Sequence, residues 1–139
     1  NVNALYESRK LIDGGIGRMA AERITPEDLT RMKNMLLVQR GLINDPIGFR
    51  VSDVEFHRVL SDATGNPFLV RVSTSLYILG MEYRRIAAEN PGVLGQSFRD
   101  HELIVAALEA RDPDAAEAAM VQHMTNVHLS TVNAMDITP

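Results

Sequence analysis

The spacing of glycine and proline constrains this chain most, because these residues divide it into blocks that each have the length of a helix. Within the blocks, apolar residues recur every three to four positions, and no apolar–polar alternation lasts long enough to indicate a sheet. The pattern therefore predicts an all-α protein, an antiparallel bundle of six helices, or seven, with short connections.

Capping residues predict where the helices begin and end. Thr25, Asn66 and Asp112 each precede a proline, and Gly65 is expected to end a helix in the left-handed conformation. The expected helices are about 3–23, 26–41, 47–64, 67–89, a fifth that is capped by Ser97 with Asp100, and 113–133.

Length and composition favour one domain. With 139 residues, of which 45% are hydrophobic, the chain can bury one core but not comfortably two, so 1–139 is expected to be a single domain. The net charge is −4 and the fourteen basic residues are scattered, which argues against nucleic-acid binding by this chain alone. No membrane span is predicted, since an apolar stretch such as 72–81 is well short of the about 20 residues required.

The absence of cysteine excludes disulfides, thiolate metal sites and cysteine nucleophiles. A cytoplasmic location is expected. The first residue is Asn1 rather than methionine, and no signal-peptide pattern follows it, so we expect the chain to be part of a longer protein.

Two polar residues interrupt the apolar face of the third predicted helix. Helical periodicity places Asp53 and His57 on the same inward face as Phe49, Phe56 and Leu60. Their i, i+4 spacing brings a carboxylate and an imidazole side by side, an arrangement that can bind one metal ion.

Histidines interrupt two further apolar faces. His101 shares its face with Ile104 in the fifth helix, and His123 shares its face with Met120 in the sixth. Each taken alone could be a core histidine that is hydrogen-bonded to a neighbour. Burial of three histidines and one aspartate without compensation would be costly, whereas a divalent cation would neutralise the carboxylate and accept the imidazole lone pairs. The pattern therefore predicts a metal site.

The residue types of the candidate ligands limit which kinds of metal site the chain can form. No Glu-x-x-His pair of the kind that a di-iron bundle requires, and no His-Glu-x-x-His motif, is present. The four predicted ligands, Asp53, His57, His101 and His123, would complete a tetrahedral zinc site or leave two positions of an octahedral ion open for water or a carboxylate. Zinc is the expected cofactor, with nickel, manganese and iron as alternatives. His128 lies about 140° around the helix from His123 and is expected to be solvated or capping.

Arg9 and Tyr83 are polar residues on two other predicted apolar faces. Arg9 could pair with Asp13 one turn on, or could place its guanidinium in a cavity and bind the carboxylate of an organic acid. Tyr83 is either part of the core or at the edge of that cavity. The expected inward stripe of the fourth helix is Leu69, Val72, Leu76, Leu79, Tyr83 and Ile86.

Three segments carry a family resemblance. They are LYESRKLID in the first helix, DVEFHRVLSDATGNPFL across the third and fourth, and DHELIVAALEARDPDAAEAAMVQHM across the fifth and sixth. In these segments the chain resembles the FCD domain, the ligand-binding C-terminal domain of the FadR subfamily of GntR-type bacterial transcription regulators. The resemblance implies an antiparallel helical bundle that holds a divalent metal through one Asp and three His, which fall on Asp53, His57, His101 and His123.

The resemblance also implies a function as a ligand-sensing and dimerisation domain. A small organic acid, such as a carboxylate, hydroxy acid or sugar acid, would enter the cavity of a homodimer. It would thereby change how an N-terminal winged helix-turn-helix domain, absent from this chain, binds DNA. Six helices resemble the VanR-type branch more than the seven-helix FadR-type branch. The chain departs from the family at Asp13, where Glu is usual, and in the cluster of Gly14, Gly15 and Gly17.

Two other functions fit the same residues. A small helical metalloenzyme, DinB-like or a hydrolase, needs a general base beside a metal-bound water, but Glu55 and Glu102 are predicted to point away from the ligands. A purely structural dimerisation bundle would bind no metal. The sequence favours a metal-containing sensor that is not an enzyme.

Overall fold

Six α-helices make up most of the computed structural model, which describes residues 1–136. The helices are Val2–Arg23 (α1), Pro26–Arg40 (α2), Pro46–Asp62 (α3), Pro67–Ala87 (α4), Val93–Glu109 (α5) and Pro113–Ala134 (α6). The predicted all-α class is confirmed for this part of the chain. Among the described residues, no helix combines the length and apolar character that crossing a bilayer requires.

Three predicted helix starts are confirmed. Thr25, Asn66 and Asp112 each accept a backbone N–H from the first turn of the helix that follows, with proline at its start. Asp45, which the sequence prediction did not use, caps α3 in the same way. Gly65 has a φ of 65°, the left-handed conformation expected for it. Local side-chain chemistry therefore sets these boundaries.

The start of α5 differs from the prediction. The helix begins at Val93, and Gly92, with a φ of 82°, precedes it without a side-chain cap. Ser97 and Asp100 are therefore inside the helix, and both are buried. The predicted capping box was wrong because the left-handed glycine turns the chain into α5 one turn earlier.

The inward face of α4 also differs from the prediction. Its buried residues are Ser73, Tyr77, Gly80 and Ala87. Val72 and Leu79 of the predicted stripe are instead 41% and 67% exposed. Small residues let α1 approach this face: Leu5 of α1 would lie only 3.3 Å from a Cβ at Gly80. A hydrophobic pattern could not detect a buried face that is made largely of small and polar residues.

The helices pack antiparallel around one core. α6 lies against α1 and α5, α4 lies against α1 and α3, and α2 covers α3 and α5. The close contact between α1 and α6 requires Gly17, where an added Cβ would lie 2.5 Å from Met120 Cγ. Core residues include Ile16, Met32, Phe56, Leu60, Ile104 and Leu108. This packing brings together the faces of α3, α5 and α6 that carry the predicted metal ligands.

Candidate metal centre and adjoining cavity

Three of the predicted metal ligands meet in the interior of the bundle. His57 comes from α3, His101 from α5 and His123 from α6, and one ring nitrogen of each lies within 4.8 Å of the others. All three residues are buried, and His101 and His123 are 0% exposed. Side chains from three different helices therefore converge on one point.

Asp53, the fourth predicted ligand, stands one turn before His57. Its Oδ1 lies 3.5 Å from His57 Nε2 and 3.3 Å from His101 Nε2, and neither contact has hydrogen-bond geometry. Four buried atoms thus lack a hydrogen-bond partner among the described residues: Asp53 Oδ1 and the Nε2 atoms of His57, His101 and His123. Buried polar atoms almost always have a partner, so this group of atoms fits a bound cation.

Hydrogen bonds on the outer side of two histidines orient the rings. His101 Nδ1 lies 2.8 Å from Gln39 Oε1, and His123 Nδ1 lies 2.8 Å from Asp100 Oδ2. Because both partners accept, each Nδ1 donates its proton and each Nε2 keeps a lone pair that faces the cluster. Partners of this kind orient metal-binding histidines and increase their strength as ligands. The donor set fits a divalent ion such as zinc.

Burial and charge keep three of the donor residues, Asp53, His101 and His123, in the protonation state that binds metal. Burial raises the pKa of Asp53, but Arg84 and His57 outweigh this effect and hold the pKa well below its ordinary value. Burial lowers the pKa of His101, and it lowers that of His123 to about 3. Both imidazoles are therefore neutral at pH 7, so a metal need not displace a proton from them.

Sequence reasoning missed four residues that support the cluster. Gln39 and Asp100 orient the histidines, while the Tyr77 hydroxyl and Arg84 Nη2 donate to Asp53 Oδ2 at 2.6 and 2.9 Å. Gln39 and Asp100 were detectable as polar residues on inward helix faces. Tyr77 and Arg84 were not, because the sequence pattern placed the inward face of α4 one residue away.

A cavity of about 390 Å³ opens beside the cluster, within the size range of small-molecule sites. Asp53, Tyr77 and Arg84 line its buried end, and the three histidines are not among the lining residues. Arg50 of α3 contributes a second guanidinium. Arg84 Nη1 is buried and has no acceptor among the described residues. This end of the cavity can therefore donate hydrogen bonds to an anion.

Arg9 and Tyr83 line a separate, smaller pocket, to which Arg84 also contributes. Of the two roles considered for Arg9, the structure shows the ion pair: its Nε lies 3.1 Å from Asp13 Oδ2. Neither Arg9 nor Tyr83 lines the larger cavity beside Asp53. Their participation in effector binding stays a prediction.

The remaining histidine and two nearby glutamates lie outside the cluster. His128 stacks on Tyr6 with ring centroids 4.3 Å apart, so it is neither a helix cap nor fully solvated. Glu55 and Glu102 are exposed, and Glu55 pairs with Arg31. Neither glutamate could serve as the general base of a metal hydrolase at this cluster.

The sequence is similar to proteins of one family. The family model described as the FCD domain matches residues 4–126. The HTH-type transcriptional repressor NanR of Cronobacter sakazakii (strain ATCC BAA-894) is 34% identical over 121 residues, which cover 86% of this chain and 46% of that protein. NanR of Salmonella newport (strain SL254) is 31% identical over 127 residues, with the same coverage. The chain therefore spans about half the length of these curated relatives.

A solved structure shares the fold. E. coli McbR/YncC superposes with a TM-score of 0.77 over 88% of this chain and 60% of that chain. Its sequence identity is 19%, so the likeness shows a common helical architecture and nothing about ligands.

Proposed function

Because the chain belongs to the FCD domain family of GntR-type transcription regulators, we propose that it is the sensing domain of such a regulator. In this proposal it binds a divalent metal and a small organic acid, and it controls DNA binding by an N-terminal domain. The single observation that carries the proposal is the cluster of four buried atoms without hydrogen-bond partners, Asp53 Oδ1 and three histidine Nε2 atoms.

Zinc is the metal that we propose, with nickel, manganese and iron as alternatives, because three imidazoles and one carboxylate suit these ions. Asp53, His57, His101 and His123 would hold it. When bound, the ion would supply positive charge at the buried end of the cavity. Gln39 would keep the His101 ring in its inward orientation, as Asp100 would for His123.

Arg84 is the residue that we propose to bind the carboxylate of the acid. Its Nη2 is bonded to Asp53, while its Nη1 has no acceptor. Burial lowers the pKa of Arg84, but Asp53 and Tyr77 together outweigh this effect and raise the pKa above its ordinary value, so the guanidinium stays charged. An acid bound here would compete with Asp53 of α3 for Arg84 of α4. Such differential binding can shift the bundle between two helix arrangements, as a sensor requires.

Loss of metal from histidine variants tests the metal centre. Wild-type protein that has been stripped with a chelator and reloaded with zinc should retain about one ion per chain after dialysis. His101→Ala and His123→Ala should each lose the ion and the increase in Tm that it produces, whereas His128→Ala, the matched control outside the cluster, should keep both. Elemental analysis and thermal melts measure the two quantities. Equal metal content in all four proteins would contradict the proposed ligands, and a wild-type protein without metal would favour the structural bundle.

The outer face of α4 supports the proposed homodimer. Phe68, Val72 and Leu79 follow helical spacing and are 76%, 41% and 67% exposed. A run of exposed apolar side chains on one helix is typical of a protein interface. A second copy of the chain is the partner that we propose for this face.

Substitution on this face tests the dimer. Leu79→Lys should convert the protein to a monomer, because a charge would be buried at the interface without a partner. Leu103→Lys changes an equally exposed leucine on α5 and should leave the dimer intact. Light scattering during gel filtration measures the mass. A monomeric wild type, or a dimeric Leu79→Lys variant, would argue against this interface.

A further inference from the structure

We infer that the effector is a carboxylic acid with an apolar body, rather than a polyhydroxylated acid. This inference rests on the proposed function, because it takes Arg84 to hold a carboxylate at the buried end of the cavity. The distribution of charge and of apolar surface along the cavity carries it.

Charged side chains line both ends of the cavity. Asp53 and Arg84 lie at the buried end, whereas Asp45, Arg85 and Glu89 are exposed at the mouth. Arg85 is already paired with a carboxylate of its own helix at 2.6 Å. Arg50 also lines the cavity, but the guanidinium nitrogen that is buried without an acceptor is Nη1 of Arg84. This arrangement favours a ligand whose carboxylate is held at the buried end.

The wall between the two ends is mainly apolar. It is formed by Phe49, Met81, Ala87, Leu94 and Val127. Two serines are also among the lining residues, and the hydroxyl of one of them, Ser130, donates to the carbonyl of Val127. A ligand with a hydroxyl on every carbon would bury several of them without partners, which opposes binding. Each buried methylene would instead tighten binding by about fourfold.

The size of the cavity sets a lower limit on the length of the apolar body. A volume of about 390 Å³ equals that of roughly a dozen water molecules in the liquid. An acid of two or three carbons would leave much of the apolar wall in contact with water. Met81 stands one helical turn, about 4.5 Å, from Arg84 on α4, so a chain of about six carbons is long enough to contact both residues.

A matched set of acids tests the inference by calorimetry on zinc-loaded protein from which unbound zinc has been removed. Gluconate and 2-hydroxyhexanoate have the same carboxylate, 2-hydroxyl and number of carbons, and they differ by four hydroxyls. We expect 2-hydroxyhexanoate to bind at least about tenfold more tightly than gluconate. 2-Hydroxybutanoate, two methylenes shorter, should bind up to about fifteenfold more weakly than 2-hydroxyhexanoate.

The possible failures can be distinguished. Gluconate binding as tightly as 2-hydroxyhexanoate would overturn the apolar body. That result would leave the proposed sensing of acids intact. Absence of binding by all three acids would overturn both the inference and the proposed acid sensing.

Variants of the cavity locate the two parts of the ligand. Met81→Gln keeps the side-chain size but makes the wall polar, and it should weaken 2-hydroxyhexanoate by about tenfold while changing gluconate little. Met81→Leu, the matched control, should behave as wild type. Arg84→Gln should weaken all the acids alike, since each has the same head group. If Met81→Gln binds 2-hydroxyhexanoate as wild type does, the chain does not contact this wall and the inference fails.

Discussion

The interior of the bundle contains two polar clusters of opposite character. In the first, between α1 and α4, Arg9 Nε and Ser73 Oγ each lie 3.1 Å from a different oxygen of Asp13. Arg9 and Asp13 are 4% and 1% exposed, and the positive and negative charges balance. Both oxygens of the carboxylate therefore have donors, and the cluster is complete without any ligand.

The second cluster is as deeply buried but is open. Asp53 and the three histidines leave four polar atoms without hydrogen-bond partners, all facing one small region. The two clusters are neighbours: the Tyr77 ring centroid lies 5.8 Å from Arg9 Cζ and 5.6 Å from Arg84 Cζ. Location and burial do not separate their roles. The clusters differ in whether the buried atoms have hydrogen-bond partners. Both oxygens of Asp13 have donors from the protein, whereas Asp53 Oδ1 and the three histidine Nε2 atoms have no partner, which makes the second cluster the candidate metal site.

The largest effect should come from breaking the closed cluster. Asp13→Ala leaves Arg9 buried without its partner and should lower the free energy of unfolding by about 3–5 kcal/mol, measured by urea denaturation of metal-free protein. Its metal content should not change.

Asp53→Ala, in the open cluster, should weaken metal binding. Loss of a residue that supports a metal ligand typically lowers metal affinity by about 10–100-fold, and loss of the ligand itself should lower it by more.

Replacing the whole ion pair is the control. Arg9→Met combined with Asp13→Leu removes both charges and should recover most of the stability that Asp13→Ala loses. If Asp13→Ala also removes the metal, the two clusters are not independent, and they do not have the separate roles described above.

Lowering the pH should destabilise the folded protein through the open cluster, by less than Asp13→Ala does. The pKa of His123 is about 3 in the folded protein against an ordinary value of 6.5, so between these values the unfolded chain binds a proton that the folded chain does not. Stability is therefore fully present above about pH 6.5 and falls as the pH drops, by about 1 kcal/mol per pH unit for this residue.

Urea midpoints of metal-free protein at pH 7, 6 and 5 measure this slope. His123→Gln should reduce it, because one titrating group of the open cluster is gone, while His101, whose pKa burial also lowers, still contributes. A slope that is the same in wild type and variant would place the acid sensitivity elsewhere in the molecule.

The smallest effect concerns α1, the helix that carries the closed cluster. Nothing lies within 4 Å of a Cβ added at Gly15, so Gly15→Ala should stabilise the protein by up to about 1 kcal/mol. Gly17→Ala should have the opposite sign, since its Cβ would lie 3.0 Å from the Ala116 carbonyl oxygen as well as against Met120. Thermal melts of the two variants measure both effects. Stabilisation by Gly17→Ala would show that α1 is not packed on α6 as described.

Much of the fold was predictable because its signals are local. Thr25, Asn66 and Asp112 begin helices through hydrogen bonds to N–H groups within three residues, and such bonds are visible in the sequence. The juxtaposition of Asp53 and His57 likewise follows from one helical turn. Where the signal was not local, the prediction failed or was silent, as at the buried face of α4.

By itself, the sequence determined the all-α class and placed Asp53, His57, His101 and His123 on inward helix faces, because both depend on spacing along one helix. Only the tertiary structure decided how those residues pair. Relative to the face that the hydrophobic pattern predicts, α4 is rotated by one residue, about 100°. Leu79 is therefore exposed and Arg84 faces Asp53. The pairing of Asp100 with His123 depends in the same way on how α5 meets α6. The rotation and approach of packed helices depend on contacts between residues far apart in the chain, and those contacts distinguish a closed polar cluster from an open one.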